Sequence, residues 1–183
     1  MRAILWGFIF LALASCNYQR GSGALEIHYS SLSIPYVLGD DSGELTAELA
    51  KQLTASTTLS YVNEGGDLVL SVALVEVDQE PIGFRYDHND EGQPTLRVVA
   101  DEQRLKAVAE VSLTETATGK VLFGPSRVSA YVDYDLDPDQ TQSSQLTLSM
   151  GQLDSASAAQ DTARRPLYHA LAQNILVHIT QVW

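Results

Sequence analysis

Two runs of alternating apolar and polar residues, close together in the chain, constrain the fold more than any other feature. Residues 103–116 are apolar at nearly every second position, and residues 128–134 resume this pattern after a Thr-Ala-Thr-Gly segment and a short apolar stretch. A period of two indicates strands with one buried face, and a glycine-containing segment between such runs indicates a turn. The sequence therefore predicts a β-hairpin, with a bulge or bend at Gly124-Pro125.

Further extended segments are predicted upstream. From Leu68 to Val77 both alternating sets of residues are largely apolar, which is typical of a strand that is central or covered on both faces. Shorter extended segments are expected at 32–38, where Pro35 favours an edge strand or a strand end, and at 57–62. Residues 79–96 are rich in proline, glycine and charge, which predicts a long loop or an irregular hairpin.

Two helices complete the predicted elements. Leucines recur at intervals of four within Glu44–Leu53, after a turn cluster that can supply an N-cap. A second helix is expected to begin near Asp154 or Ser155 and to run to the C-terminus, with a kink or restart at Pro166. The element order predicts an α+β fold: a two-layer sandwich of a mostly antiparallel or mixed four-stranded sheet with two helices on one face.

The N-terminus has the pattern of an export signal. Arg2 precedes an apolar run from residue 3 to residue 14, which is shorter than the roughly 20 residues that span a bilayer. A buried N-terminal core helix is the alternative, but the small residues before Cys16 favour processing. We therefore expect residues 1–15 to be a lipoprotein signal peptide.

Cys16 is the only cysteine in the chain, which excludes an internal disulfide and a cysteine-based zinc cluster. The segment Leu13-Ala14-Ser15-Cys16 resembles the bacterial lipobox, and this resemblance implies that Cys16 becomes the acylated N-terminus, carrying chains such as palmitate. More than one acyl chain gives stable membrane attachment. Residues 16–24 are then a lipidated tether and residues 25–183 a single domain, and Asn17 is compatible with the outer membrane.

Composition and motifs argue against several functions. The formal net charge of −12 is unlike the basic footprint of a nucleic-acid-binding protein. There is no Gly-x-Ser-x-Gly nucleophile elbow, and the four histidines lie on different elements, so we expect no catalytic residues, metal or cofactor. Asp133, Asp135, Asp137 and Asp139 fall at every second position, which suits calcium if they share a strand face. A solvated strand face is favoured instead, because no distal glutamate completes a calcium loop.

The segment GFRYD contains an aromatic–cation–aromatic triplet, Phe84, Arg85 and Tyr86. Aromatic residues and arginine are enriched in the cores of protein interfaces. The triplet therefore indicates either an interaction surface or a strand end whose aromatic side chains pack on the domain itself.

Several stretches together resemble the LptE-type lipopolysaccharide-assembly lipoproteins, as a divergent branch. They are IPYVLGDDSGELTAELAKQL, GFRYD, AEVSLTETATGKVLFGPSRVSA, SMGQL and RPLYHALA, which follow the lipobox cysteine and tether. The resemblance implies a non-enzymatic lipoprotein on the periplasmic face of the outer membrane of a Gram-negative envelope. It also implies an LptD-like β-barrel translocon partner, inside which the domain sits as a plug that assists assembly of the barrel and delivery of lipopolysaccharide.

The resemblance further implies that lipopolysaccharide could be contacted directly through basic residues. The candidates on strands or nearby loops are Arg85, Arg104, Lys106 and Arg127, although the acidic excess of the chain opposes such contacts. Two other classes stay open: a pilotin-like accessory of another envelope machine, and a periplasmic hydrolase of unrecognised type.

Overall fold

The computed structural model describes residues 25–88, 91–135 and 150–181, and the predicted α+β class is confirmed. The elements in chain order are α1 (Leu25–His28), β1 (Ser31–Ser33), α2 (Glu44–Ser56), β2 (Ser60–Val62), β3 (Leu68–His88), β4 (Pro94–Glu115), β5 (Val121–Asp135) and α3 (Met150–Gln181). The predicted signal peptide and tether lie outside the described residues, so their assignment stays a prediction.

The strands form one mixed sheet in the order β2-β1-β3-β4-β5. β1 pairs in parallel with both β2 and β3, whereas β3, β4 and β5 form an antiparallel meander. The sheet has five strands rather than the predicted four, because both three-residue strands, β1 and β2, join it. β3 is the central strand of the five. This confirms one of the two alternatives that its two apolar faces predicted.

Strands β3 and β4 extend much further than the sequence pattern suggested. The segment 79–96 is an irregular hairpin rather than a loop, because β3 continues to His88 and β4 begins at Pro94. Register shifts interrupt the ladder at four places between Leu74 and His88, and one of them lies between Pro81 and Gly83. Such bulges let two strands stay paired across residues that break regular alternation.

One hydrophobic core lies between the sheet and the two long helices. α2 contributes Leu45, Leu49 and Leu53, and β4 contributes the alternating residues Leu105, Ala107, Ala109, Val111 and Leu113. α3 contributes residues on one stripe, including Leu167, Leu171, Ile175 and Ile179. Because all these strand residues point to one face, the helices cover one side of the sheet, and we call the other side the outer face.

The predicted cap of α2 comes from a buried carboxylate. Asp40 accepts hydrogen bonds from the backbone N–H and the hydroxyl of Thr46 at 2.9 and 3.0 Å, and from the hydroxyl of Ser42 at 3.0 Å. Gly43 occupies the N-cap position at φ 72°, a conformation that glycine adopts without strain. The turn cluster therefore starts the helix as predicted, and α2 runs three residues past Leu53.

Prolines shape two elements differently. β1 ends at Ser33, and beyond Pro35 it is Val37 rather than Tyr36 that is buried, so the predicted alternation breaks there. Leu38 then rejoins β3 through a single bridge to Ala73. Pro166 lies within α3, which begins at Met150 rather than near Asp154 and shows no restart.

The hairpin β4–β5 contains the predicted bulge. The register passes from Val111 opposite Ser126 to Leu113 opposite Phe123, so Gly124 and Pro125 together oppose the single residue Ser112, and β5 has one extra residue there. Gly124 has φ 88°, and a Cβ atom there would lie 2.3 Å from the carbonyl oxygen of Val111. A glycine is therefore required at this position.

Candidate interaction surfaces

Three of the predicted cationic residues lie together on the outer face. Arg104 and Lys106 alternate on β4 with the buried residues Leu105 and Ala107, so their side chains leave the opposite side of the sheet. Arg127 on β5 is opposite Glu110, which belongs to the same alternating set. The structure thus places Arg104, Lys106 and Arg127 on one face of the sheet, with Arg127 level with Glu110, six residues along β4 from Arg104.

Arg104 is already paired on this surface. Its Nε and Nη2 atoms donate to the two carboxylate oxygens of Asp133 at 2.7 and 2.9 Å, and its guanidinium lies 4.2 Å from the centre of the Tyr131 ring. The hydrogen bonds from Arg104 lower the pKa of Asp133, although partial desolvation opposes them. This two-pronged pair fixes the guanidinium across the strands and neutralises it.

The other two cations also face carboxylates or aromatic groups across the ladder. Lys106 lies between Asp78 of β3 and Tyr131 of β5, and Arg127 is opposite Glu110. Both side chains are exposed, and within the described ranges neither forms an ion pair. The middle of the outer face is therefore a charged surface of alternating sign.

The aromatic triplet lies elsewhere, near the turn of the β3–β4 hairpin. Phe84 and Tyr86 are both 61% exposed and stand outside the core. Tyr86 is opposite Val98, which is 54% exposed, and Leu96 is 99% exposed. We call Phe84, Tyr86, Leu96 and Val98 the hairpin end. The interpretation that the aromatic rings pack on the domain is wrong.

Residues of the hairpin end alternate with arginines. Arg85 lies between the two aromatic residues and is half-buried, and the exposed Arg97 separates Leu96 from Val98. Successive side chains of a strand leave opposite faces, so the apolar and cationic groups are on different sides. Leu96 and Val98 are not among the residues predicted from the sequence, although their alternation after Pro94 was a usable signal.

Residues 29–31 contact the end of the sheet that is opposite the hairpin end. The Asp67 carboxylate accepts the backbone N–H and the hydroxyl of Ser30, both at 2.8 Å, and the backbone N–H of Ser31 at 3.1 Å. These hydrogen bonds, those from Ser30 above all, lower the pKa of Asp67. Tyr29 donates to Glu115, the last residue of β4, at 3.0 Å. Residues 29–31 thus lie one full β4 length from the hairpin end.

The two helices are joined by a polar cluster at their solvent side. His169 Nδ1 lies 2.7 Å from a Glu48 carboxylate oxygen, and Gln52 donates to that oxygen at 3.0 Å and to the His169 carbonyl at 2.8 Å. Burial alone would raise the pKa of Glu48, but hydrogen bonds from Gln52, His169 and Lys51 outweigh it and hold the pKa at about 2. This cluster ties α2 to α3 and gives His169 a structural contact.

No arrangement typical of a metal centre occurs in the described part of the chain. Within it, no three histidine, cysteine, aspartate or glutamate residues are grouped so that they could hold a metal ion. Of the acidic series, Asp133 is paired with Arg104, and Asp137 and Asp139 lie outside the described residues. None of the helices in residues 25–88, 91–135 and 150–181 has the length and apolar content needed to span a membrane.

Comparison with solved structures finds bacterial lipoproteins among the matches. Rare lipoprotein B from Shewanella oneidensis matches with a TM-score of 0.50 and 16% identity, over 83% of this chain and 95% of that chain. A lipoprotein from Caulobacter crescentus matches at 0.49 and 15% identity, over 82% and 88% of the two chains. A minor lipoprotein from Acinetobacter baumannii matches at 0.44 and 17%, over 82% and 93%.

No curated protein matches the sequence. The model of one family, LptE, described as lipopolysaccharide-assembly, matches residues 29–179. This span includes every described strand and nearly all of both long helices. The chain therefore belongs to the LptE lipopolysaccharide-assembly family.

Proposed function

We propose that this protein is a non-enzymatic outer-membrane lipoprotein that acts as the plug subunit of a lipopolysaccharide translocon. It assists assembly of an LptD-like β-barrel partner and delivery of lipopolysaccharide to the outer leaflet. The family match over residues 29–179 carries the proposal.

The exposed hairpin end supports a protein partner. Four large apolar side chains, two of them aromatic, are exposed near one turn, with arginines between them. Contiguous exposed apolar residues mark interaction sites, and aromatic residues and arginine are enriched in interface cores. We assign the contact with the barrel to Phe84, Tyr86 and their neighbours at the hairpin end.

The anchor is proposed to be Cys16, acylated after removal of residues 1–15. Incorporation of a clickable fatty-acid analogue tests this step in cells that express the full chain. Labelling is expected in the wild type and absent from Cys16→Ala, with Ser15→Ala as the matched control that keeps the label. Persistent labelling of Cys16→Ala would contradict the anchor.

Direct contact with lipopolysaccharide is proposed for Lys106 and Arg127 in preference to Arg104. The Arg104 guanidinium already forms a two-pronged pair with Asp133, whereas Lys106 and Arg127 are exposed. A lipopolysaccharide pull-down of the purified lipoprotein should therefore weaken for Lys106→Ala with Arg127→Ala and change less for Arg104→Ala. If lipopolysaccharide retained the wild type, the double variant and Arg104→Ala equally, this contact would be refuted, but the plug role would stay intact.

Crosslinking in the native envelope tests the partner. A photoreactive amino acid at Phe84 or Tyr86 should crosslink an outer-membrane β-barrel, and the same probe at Val121, an exposed apolar position on β5, is the matched control. Recovery of no β-barrel protein from the hairpin-end positions would refute the proposed function. Recovery of a component of a different envelope machine would favour an accessory role instead.

A further inference from the structure

An open cleft of about 580 Å³ lies at the carboxyl ends of β1 and β2. It is separate from the hairpin end and from the charged middle of the outer face. Its walls come from the segments that follow β1 and β2, with contributions from Thr46 and Val69. β1 and β2 are parallel, so both segments leave the sheet at the same edge and face each other. Its volume lies within the range of roughly 300–1,000 Å³ found for ligand pockets.

One wall of the cleft is a fixed aromatic ring. The Tyr36 hydroxyl donates to the carbonyl oxygen of Asp40, and a Cβ atom at Gly43 would lie 3.5 Å from the ring, so the ring rests against the N-terminus of α2. Tyr36 nevertheless remains 59% exposed. A ring that is held at its hydroxyl and open on its surface is pre-organised for stacking.

The remaining walls offer hydrogen-bonding groups that the domain does not use. The cleft is also lined by Tyr61, Asn63 and Glu64, and within the described residues these three side chains make no hydrogen bond or ion pair. The hydroxyls of Ser33 and Thr46, by contrast, are engaged with Leu68 and Asp40. The free groups are thus an amide, a phenol and a carboxylate.

The charge of the lining selects the ligand chemistry. Glu64 is the one charged residue among those that line the cleft, and no lysine, arginine or histidine is present there. A phosphate or carboxylate would meet a like charge with no compensating cation, so anionic ligands are disfavoured. The net charge of −12 also attracts cations to the protein as a whole.

We propose that this cleft binds the guanidinium group of an arginine side chain presented by a partner protein. The planar guanidinium stacks on an aromatic face such as that of Tyr36, pairs with the two oxygens of a carboxylate such as Glu64, and donates to an amide oxygen such as that of Asn63. The proposal does not depend on the β-barrel partnership, because the probe molecules below require no partner.

Titration of the full-length, ¹⁵N-labelled lipoprotein in detergent micelles tests the proposal. Arginine amide is expected to shift the backbone amide signals of Tyr61, Asn63, Glu64 and Gly65, and citrulline amide, which has the same shape without the charge, is expected to shift them far less. Glu64→Gln should weaken the response several-fold, whereas the exposed control Glu44→Gln, outside the cleft, should preserve it.

Three outcomes would overturn the proposal. They are equal shifts with arginine amide and citrulline amide, stronger shifts with N-acetylglucosamine at the same concentration, and an undiminished response in Glu64→Gln. Because Glu64 is exposed and its side chain forms no hydrogen bond or ion pair within the described chain, its amide variant is expected to fold. A loss of barrel crosslinking from the hairpin end would leave this titration unaffected, so the two proposals fail separately.

Discussion

The two halves of the β3–β4 hairpin are built from similar residues but differ in what covers them. In the half nearer residues 29–31, alternate apolar residues of β4 such as Leu105 and Leu113 are almost fully buried under the helices. In the far half, Leu96 and Val98 on the same strand are 99% and 54% exposed. An alternating strand pattern therefore creates an apolar face, and such a face becomes part of the core only where another element packs on it.

The largest expected effect separates these halves directly. Leu105→Ala should lower the free energy of unfolding by about 2–5 kcal/mol, because it leaves a cavity in a packed core. Leu96→Ala, the matched change on the same strand, should alter it by no more than about 0.5 kcal/mol. Chemical denaturation followed by circular dichroism measures both. Similar losses in the two variants would mean that the hairpin end is also packed.

A smaller effect on the free energy of unfolding is expected at the polar cluster that joins α2 and α3. The pKa of Glu48 is held at about 2 in the folded chain, below its ordinary value of 4.5. Its ionised form therefore stabilises the fold above pH 4.5, and this contribution disappears as the pH falls towards 2.

Glu48→Gln should thus cost about 1–3 kcal/mol at pH 7 and progressively less at pH 4 and pH 3. Denaturant titrations of both proteins at these values measure the difference, with Glu44→Gln at the start of α2 as the control. A difference that stayed constant between pH 7 and pH 3 would show that the ionised carboxylate does not hold the helices together.

A further test concerns the end of the sheet that residues 29–31 contact. Asp67→Asn should reduce stability less than Leu105→Ala, because the amide can replace part of the hydrogen bonding to Ser30 and Ser31. Hydrogen exchange should reveal faster opening of residues 29–33, while the amides of the hairpin end stay unchanged. Faster exchange in both places would show that the two ends open together.

The smallest effect on stability is expected on the outer face. The pair Arg104 and Asp133 is partly exposed, with side-chain accessibilities of 32% and 33%, and solvent screens such pairs. A double-mutant cycle with Arg104→Ala and Asp133→Ala should therefore give a small coupling energy that decreases at high salt. A large, salt-independent coupling would place this pair in a much drier environment than the structure gives it.

The sequence predicted the covered half of the fold well. Leucines at intervals of four placed α2, alternation placed β4 and β5, and the Gly124-Pro125 step placed the bulge, because each signal is local. The far half was harder to predict. Pro81, Gly83 and Pro94 disrupt local alternation, but long-range pairing with the partner strand keeps both segments extended.

The candidate residues show the same division between local and long-range information. The shared face of Arg104 and Lys106 follows from their spacing, whereas the pairing of Arg104 with Asp133 depends on a register that no local pattern specifies. The cleft between the ends of β1 and β2 could not be predicted from local sequence either. Its walls are almost 30 positions apart in sequence and meet only through parallel pairing.

The distance between the two ends of β4 has a mechanical consequence. The strand has 22 residues, so its ends lie up to about 70 Å apart at roughly 3.3 Å per residue. If the domain pivots at residues 29–31, a tilt of about 10° moves the hairpin end by about 12 Å at this strand length. A contact at the hairpin end therefore restricts the tilt of the whole domain far more tightly than an equal contact near the pivot.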